Sequence, residues 1–180
     1  YAQDFEMIRE LLLKLSKDER VQLVVFGLPK DDGTNPKTAE VHKKEFGFLK
    51  ELGAVEHVSW VAMEDYFTQL NELRLDMMLI PRRENHFNKA KSNVKFLEAS
   101  MCEIPVIAQS FVDAPYEKDI DGTNGILVKT QEDWTNAVEE LITNKKKRRS
   151  MGKKAYKYVV ANYSIADHAH LWEEAYNSIK

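Results

Sequence analysis

Residues 76–108 read DMMLIPRRENHFNKAKSNVKFLEASMCEIPVIA, and this stretch decides the fold. Asp76 to Ile80 is an apolar run stopped by Pro81, the pattern of a strand buried on both faces. A loop rich in Arg and Lys follows, from Arg82 to Lys91. Residues 92–102 then carry helical spacing, with Ser92 or Asn93 as the N-cap. Pro105 primes a second strand, Val106 to Ala108. Strand, loop, helix and strand in that order make a βαβ unit, whose two strands run parallel.

The alternation extends in both directions. Upstream, the spacing predicts a helix over residues 4–16 and a buried strand from Val21 to Phe26 that ends at Gly27. A polar loop with Pro29, Asp31, Asp32, Gly33 and Pro36 leads to a helix over 37–52, closed near Gly53. Val55 to Val61 reads as a strand and Asp65 to Leu73 as a short helix. Downstream, a turn at Asp121-Gly122-Thr123-Asn124 precedes a strand from Gly125 to Val128. Helices over 131–143, 146–161 and 164–178 finish the chain. The expected fold is therefore α/β: a Rossmann-like parallel sheet flanked by helices, with C-terminal helices, in one domain over residues 1–180.

Composition agrees and excludes other classes. With 180 residues, 43% hydrophobic and 31% charged, the chain can bury one core and is not disordered. Its apolar runs are strand-sized, far below the ~20 residues that span a bilayer. Cys102 is the only cysteine, which excludes a disulfide framework and fits a reducing, cytoplasmic compartment. A net charge of −3 sets nucleic acid aside as a partner. The chain opens at Tyr1 directly into a helix, without an initiator Met or a leader, so a fragment of a longer protein is expected.

In open α/β sheets, ligands sit beyond the carboxyl ends of the strands. That rule selects the loops after Phe26, Ile80 and Ala108. The second of these holds Arg82, Arg83, Lys89, Lys91 and Lys95 against a single Glu84, within fourteen residues. It feeds a helix N-terminus, where backbone N–H groups and the helix dipole favour a phosphate. Lys91 and Lys95 can each neutralise a phosphate as a point charge. Glu98 lies three residues beyond Lys95 on the same helix face, and its carboxylate can accept from a pair of sugar hydroxyls. The bland alternative is a surface ion pair between Lys95 and Glu98.

Other motifs are missing or weak. There is no GxGxxG, GxxxxGK[ST], HExxH or GxSxG. His168 and His170 stand two apart on a helix and face different sides, so no histidine metal site is expected. Asp119-Ile120-Asp121 has the DxD spacing of some metal sites, but it reads as turn chemistry before Gly122. Cys102, among apolar residues, reads as a small buried side chain rather than a nucleophile. The run Lys145-Lys146-Lys147-Arg148-Arg149 reads as a solvated face, with contact to an anionic membrane as the minority alternative.

The stretch Leu97-Glu98-Ala99-Ser100-Met101-Cys102-Glu103-Ile104-Pro105-Val106-Ile107-Ala108 resembles the donor-binding core of group 1 glycosyltransferases with the GT-B fold, whose pattern is LEA-small-small-G-x-PV(I/V)A. It is most similar to the subgroup with FN…KSN.K.LE, and Asp121 to Val128 resembles that family's DG.NG.LV segment. Ala161-Asn162-Tyr163-Ser164 matches its break before the last helix. The resemblance implies transfer of a sugar from a nucleotide-diphosphate sugar to an acceptor hydroxyl, with retention at the anomeric carbon and no metal cofactor. It implies that Lys91, Ser92, Asn93, Val94 and Lys95 bind diphosphate, that Glu98 binds the ribose, and that the Trp60 region holds the base. For Trp60 the alternative is core packing. The family's first glutamate falls at Ala90, a departure that leaves the usual sugar contact without its residue.

In that family a glycine-loop strand and a whole acceptor-binding N-terminal domain come before the region matched here. The last helix crosses to that domain, so Trp172, Ala175, Tyr176 and Ile179 are expected to expose an apolar face through which the chain self-associates. The resemblance to one subgroup suggests surface polysaccharide or glycoconjugate synthesis, with the parent peripheral to the inner membrane face. Two alternatives stay open: a non-catalytic binding or assembly domain with a degenerate GT-B half, and a sugar-nucleotide epimerase of the same fold.

Overall fold

Among the described residues, every strand pairing is parallel. The computed structural model describes residues 2–28, 40, 43, 47–53 and 55–179. Strand β1 (Leu23–Leu28) pairs with β2 (Val55–Ser59). Strands β3 (Met78–Ile80), β4 (Val106–Gln109) and β5 (Ile126–Val128) form a second ladder in that order. The helices are α1 (Ala2–Glu6), α2 (Arg9–Leu15), α3 (Tyr66–Glu72), α4 (His86–Lys89), α5 (Val94–Met101), α6 (Gln131–Thr143), α7 (Lys145–Tyr163) and α8 (Ile165–Asn177). The expected α/β architecture is the one observed, with one difference: no ladder joins β1 to β3 among the described residues, so the strands fall into two sheets.

Side chains unite what the ladders do not. Strand β4 is buried along its whole length, and successive residues of a strand point to opposite faces. Ile107 faces one core, shared with Leu11, Leu12 and Leu15 of α2, Trp134 and Leu141 of α6, and Leu23 and Val25 of β1. Val106 and Ala108 face the other, with Phe96 and Ala99 of α5 and Ala155 and Val159 of α7. Helices therefore cover both faces, and each fully buried Leu or Phe contributes about 1.5–3 kcal/mol. Helix α7 sits against the turn after α5 so closely that a Cβ on Gly152 would lie 1.9 Å from the Glu103 carbonyl oxygen.

Four local expectations are corrected. The helix over 4–16 is two helices, broken at Met7–Ile8, which lets Asp4 reach the 82–88 loop while Leu11, Leu12 and Leu15 keep the core. Of the helix over 37–52, the described part Gly47–Glu51 is a tight 3-10 turn, and Glu40 and Lys43 are helical. The loop residues Pro29, Asp31, Asp32, Gly33 and Pro36 lie outside the described residues. The basic loop holds a short helix, α4, capped by the Asn85 side chain accepting from the Asn88 N–H at 2.8 Å. Finally, Cys102 is half-buried rather than buried, and burial, then the Glu98 charge, pushes its thiol pKa up, away from a nucleophilic thiolate.

The break at Ser164 and the exposure of the last helix are as expected. No residue of α8 is buried, and Ile165, Trp172, Tyr176 and Ile179 stand in solvent. Among the described residues, no helix is long and apolar enough to cross a membrane.

Candidate functional site

The head of α5 faces the carboxyl end of β1. Four residues from three elements meet there. Tyr66, the first residue of α3, stacks on Phe26 of β1 with ring centroids 5.4 Å apart and planes 14° from parallel. Its hydroxyl donates to Glu98 Oε2 at 2.9 Å. Lys95 donates to the same oxygen at 2.8 Å and approaches the Tyr66 hydroxyl at 3.3 Å. The face shared by Lys95 and Glu98 is thus real, and it is tied to a residue 29 positions upstream of Lys95.

Electrostatics follow from this packing. Burial draws the Lys95 ammonium down, but its bond to Glu98 and the Glu98 charge outweigh this, so its pKa is raised. Burial raises the Tyr66 pKa, with the Lys95 charge opposing, which keeps the hydroxyl protonated as a donor. An ammonium has three donors. Glu98 and Tyr66 take two from Lys95, and the third finds no acceptor among the described residues. Among the described residues, Glu98 Oε1 accepts no hydrogen bond.

The entry to α5 offers backbone donors. Phe96 and Leu97 bond back to the Asn93 carbonyl, while the Val94 and Lys95 amides find no acceptor among the described residues. Ser92 is exposed. Asn93 occupies the cap position, but its side chain does not cap the helix. Instead its amide donates to Asp119 Oδ2 at 2.8 Å and meets the Tyr163 hydroxyl at 2.7 Å. Asp119 Oδ1 also accepts from Tyr158 at 3.0 Å and Tyr163 at 2.6 Å. Burial, then the Asp119 bond, pushes the Tyr163 pKa up to about 12.

The DxD pair is therefore split between tasks. Asp119 holds two tyrosines and an asparagine, while Asp121 closes the expected turn by accepting from the Thr123 and Asn124 amides.

The basic patch is smaller than its composition suggests. Arg82 is buried against Asp4 at 3.4 Å, and the Arg83 amide and the Asn88 side chain also donate to Asp4. The Arg83 side chain bonds Gln3, and Lys89 pairs with Glu84 at 2.9 Å. Lys91 lies over the Phe87 ring at 4.1 Å. Arg82, Arg83 and Lys89 thus fix the loop to α1 or to itself, Lys91, just before the α5 entrance, meets the loop through Phe87, and Lys95 lies on α5. Trp60 is 73% exposed just past β2, which excludes core packing for it. No hydrogen bond or ring contact joins Trp60 to the Tyr66–Lys95–Glu98 cluster among the described residues. Ala90 is exposed at the end of α4.

Sequence reasoning missed Phe26, Tyr66 and the Asp119 network. For Phe26 a signal existed, because it stands at a strand end, where such sheets place ligands; for Tyr66, at the start of α3, none did. For Asp119, nothing local marks the tyrosines that converge on it.

Known structures share this fold. A TarM variant from S. aureus, solved with fondaparinux, alpha-GlcNAc-glycerol and UDP, is 17% identical with a TM-score of 0.67, covering 98% of this chain and 33% of TarM. Anabaena HepE, solved with UDP-glucose, is 14% identical with a TM-score of 0.69, covering 96% of this chain and 44% of HepE. The C-terminal domain of the group 1 family glycosyl transferase LpcC from Francisella tularensis is 23% identical with a TM-score of 0.59, covering 91% of this chain and 79% of that domain. This chain thus spans less than half the length of TarM or HepE. A search of curated proteins finds no significant match. The sequence profile of the group 1 glycosyl transferases matches residues 3–158, and by that match the chain belongs to the group 1 glycosyltransferase family.

Proposed function

We propose that this chain is the donor-binding part of a glycosyltransferase that moves a sugar from a nucleotide-diphosphate sugar to an acceptor hydroxyl, in surface polysaccharide or glycoconjugate synthesis. The observation that carries this is the head of α5, which among the described residues has two amides without an acceptor, a lysine with one donor to spare, and a carboxylate held by one oxygen. The Val94 and Lys95 amides, at the positive end of the helix, receive the diphosphate. Lys95 and Lys91 neutralise it as the bond to the sugar breaks and negative charge builds on the leaving group. Glu98 Oε1 accepts from the ribose hydroxyls, while Tyr66 holds Oε2. Trp60 lies in the region of the base. Charge compensation comes from lysines and helix amides, so no divalent ion is called on. The UDP and UDP-glucose bound in TarM and HepE support a nucleotide donor.

Calorimetric titration of the chain with UDP, GDP and dTDP at low salt is the direct test. Binding of one, lost in Lys95→Ala and Glu98→Ala, is expected. Retained affinity in both variants would remove these residues from the site. A non-catalytic binding domain is the second reading, favoured by Ala90 at the position of the family's first glutamate. Sugar transfer by the longer parent separates the two: binding without turnover favours the second.

The open face of α8 belongs, in this proposal, to the N-terminal domain of the parent, and in the isolated chain to a second copy. Sedimentation velocity should show concentration-dependent dimers that Trp172→Glu abolishes. A monomer at all concentrations would refute the second-copy assignment.

A further inference from the structure

Helix α7 carries eight basic side chains and no acidic one between Lys145 and Tyr163. The whole chain has a net charge of −3, so without this helix the remainder stands at −11. The structure sorts the eight into two groups. Lys147 turns to Glu140 at 2.5 Å, and Arg148 turns to Asp76 at 2.8 Å and to the Leu141 carbonyl. Those two hold the helix to the domain. Lys145, Lys146, Arg149, Lys153, Lys154 and Lys157 are all exposed, and none pairs with a carboxylate among the described residues.

The buried residues Met151, Gly152, Ala155 and Val159 define the inner side of the helix. Lys146, Arg149, Lys153 and Lys157 recur at three- and four-residue spacing away from it. Lys146 to Lys157 is a row about 17 Å long, with Lys145 and Lys154 on its two flanks. Tyr156 and Val160 are exposed on the same helix, 37% and 44% respectively.

We propose that the outer face of α7 docks on an anionic lipid bilayer. A straight convex row of ammonium and guanidinium groups meets a plane along its full length, and each basic group near an anionic leaflet adds attraction. Tyr156 and Val160 supply the short amphipathic and apolar side chains that an interface accommodates. A single-stranded nucleic acid instead needs a concave groove with successive aromatic platforms, and the outer face of one helix, with Tyr156 alone among the row's cations, offers no such groove.

The test is flotation of the whole chain with vesicles, one set of phosphatidylcholine and one containing about 30 mol% phosphatidylglycerol. Binding to the anionic set alone is expected, with loss in high salt as the charges are screened. The triple variant Lys146→Glu, Arg149→Glu, Lys153→Glu should weaken binding by about thirtyfold or more. A control triple with the same charge change, Lys17→Glu, Lys50→Glu, Lys118→Glu, should stay within about threefold, because its sites lie off the row. Circular dichroism checks that both fold; if the first does not, the Gln triple at the same three sites replaces it. The proposal is overturned if anionic vesicles do not bind, if the control triple loses as much, or if single-stranded DNA binds more tightly than the vesicles at equal salt.

Discussion

Tyr66 and Glu98 stand 32 residues apart, and the Tyr66 hydroxyl donates to Glu98 Oε2 at 2.9 Å. The same oxygen takes Lys95, so one carboxylate oxygen is doubly engaged while the other accepts no hydrogen bond among the described residues. Stacking on Phe26 fixes the Tyr66 ring, and so fixes where its hydroxyl aims. Tyr66 is therefore a positioning residue for Glu98.

Tyr66→Phe keeps the ring and its stack but removes the donor. The expected outcome is a threefold to tenfold weaker nucleoside diphosphate, by about 0.7–1.4 kcal/mol. Stability should change by no more than about 1 kcal/mol. Calorimetry and urea unfolding measure the two separately. Unchanged affinity would show that Glu98 needs no second support.

Asp119→Ala tests the network behind the α5 entrance. The carboxylate takes bonds from Asn93, Tyr158 and Tyr163, joining α5 to the end of α7. Removing it strands these donors in a partly buried place, at about 2–3 kcal/mol. For a chain of this size that is a fall in Tm of roughly 4–12 °C. Nucleotide binding should weaken as well, because the residue before the free amides loses its anchor. A variant that melts within a degree of the parent would show the network to be incidental.

Local features of this site were legible, and distant ones were not. Lys95 and Glu98 share a face because three residues make nearly one helical turn, a fact any sequence displays. The strands before Pro81 and after Pro105 were equally readable from apolar runs. The fate of Arg82 was not, because its partner Asp4 is 78 residues away and only packing brings α1 to that loop. Counting five cations overstated the patch for that reason. The split of the strands into two sheets was also illegible, since apolar pattern marks a strand without naming its neighbour. Of the two cap candidates, Ser92 and Asn93, it is Asn93 that precedes α5. Its side chain, read as a cap, is bent away by Asp119, an acceptor supplied from beyond the next strand.

Stability should fall at alkaline pH in a way that depends on Tyr163. An unperturbed tyrosine ionises near 10.0, and this one is pushed up to about 12. The folded state thus keeps the proton more tightly than the unfolded state. The contribution is complete below pH 10 and is lost as pH rises from 10 to about 12. Urea midpoints measured across that window should fall more steeply for the natural chain than for Tyr163→Phe. Parallel slopes would mean that other tyrosines, not this one, carry the alkaline loss.

Gly152→Ala probes how α7 is seated. A Cβ at this position would meet the Glu103 carbonyl oxygen at 1.9 Å and its carbon at 2.7 Å, both backbone atoms that cannot rotate away. Glu103 is itself held at φ 55°, so the turn has little freedom to retreat. Helix α7 must lift, which separates Ala155 and Val159 from Phe96 and Ala99. The expected loss is about 3 kcal/mol, at the upper end for overpacking, despite the gain in helix propensity of about 1 kcal/mol from Gly to Ala. Urea unfolding measures it. A variant as stable as the parent would mean that α7 stands farther from the Glu103 turn than this packing requires.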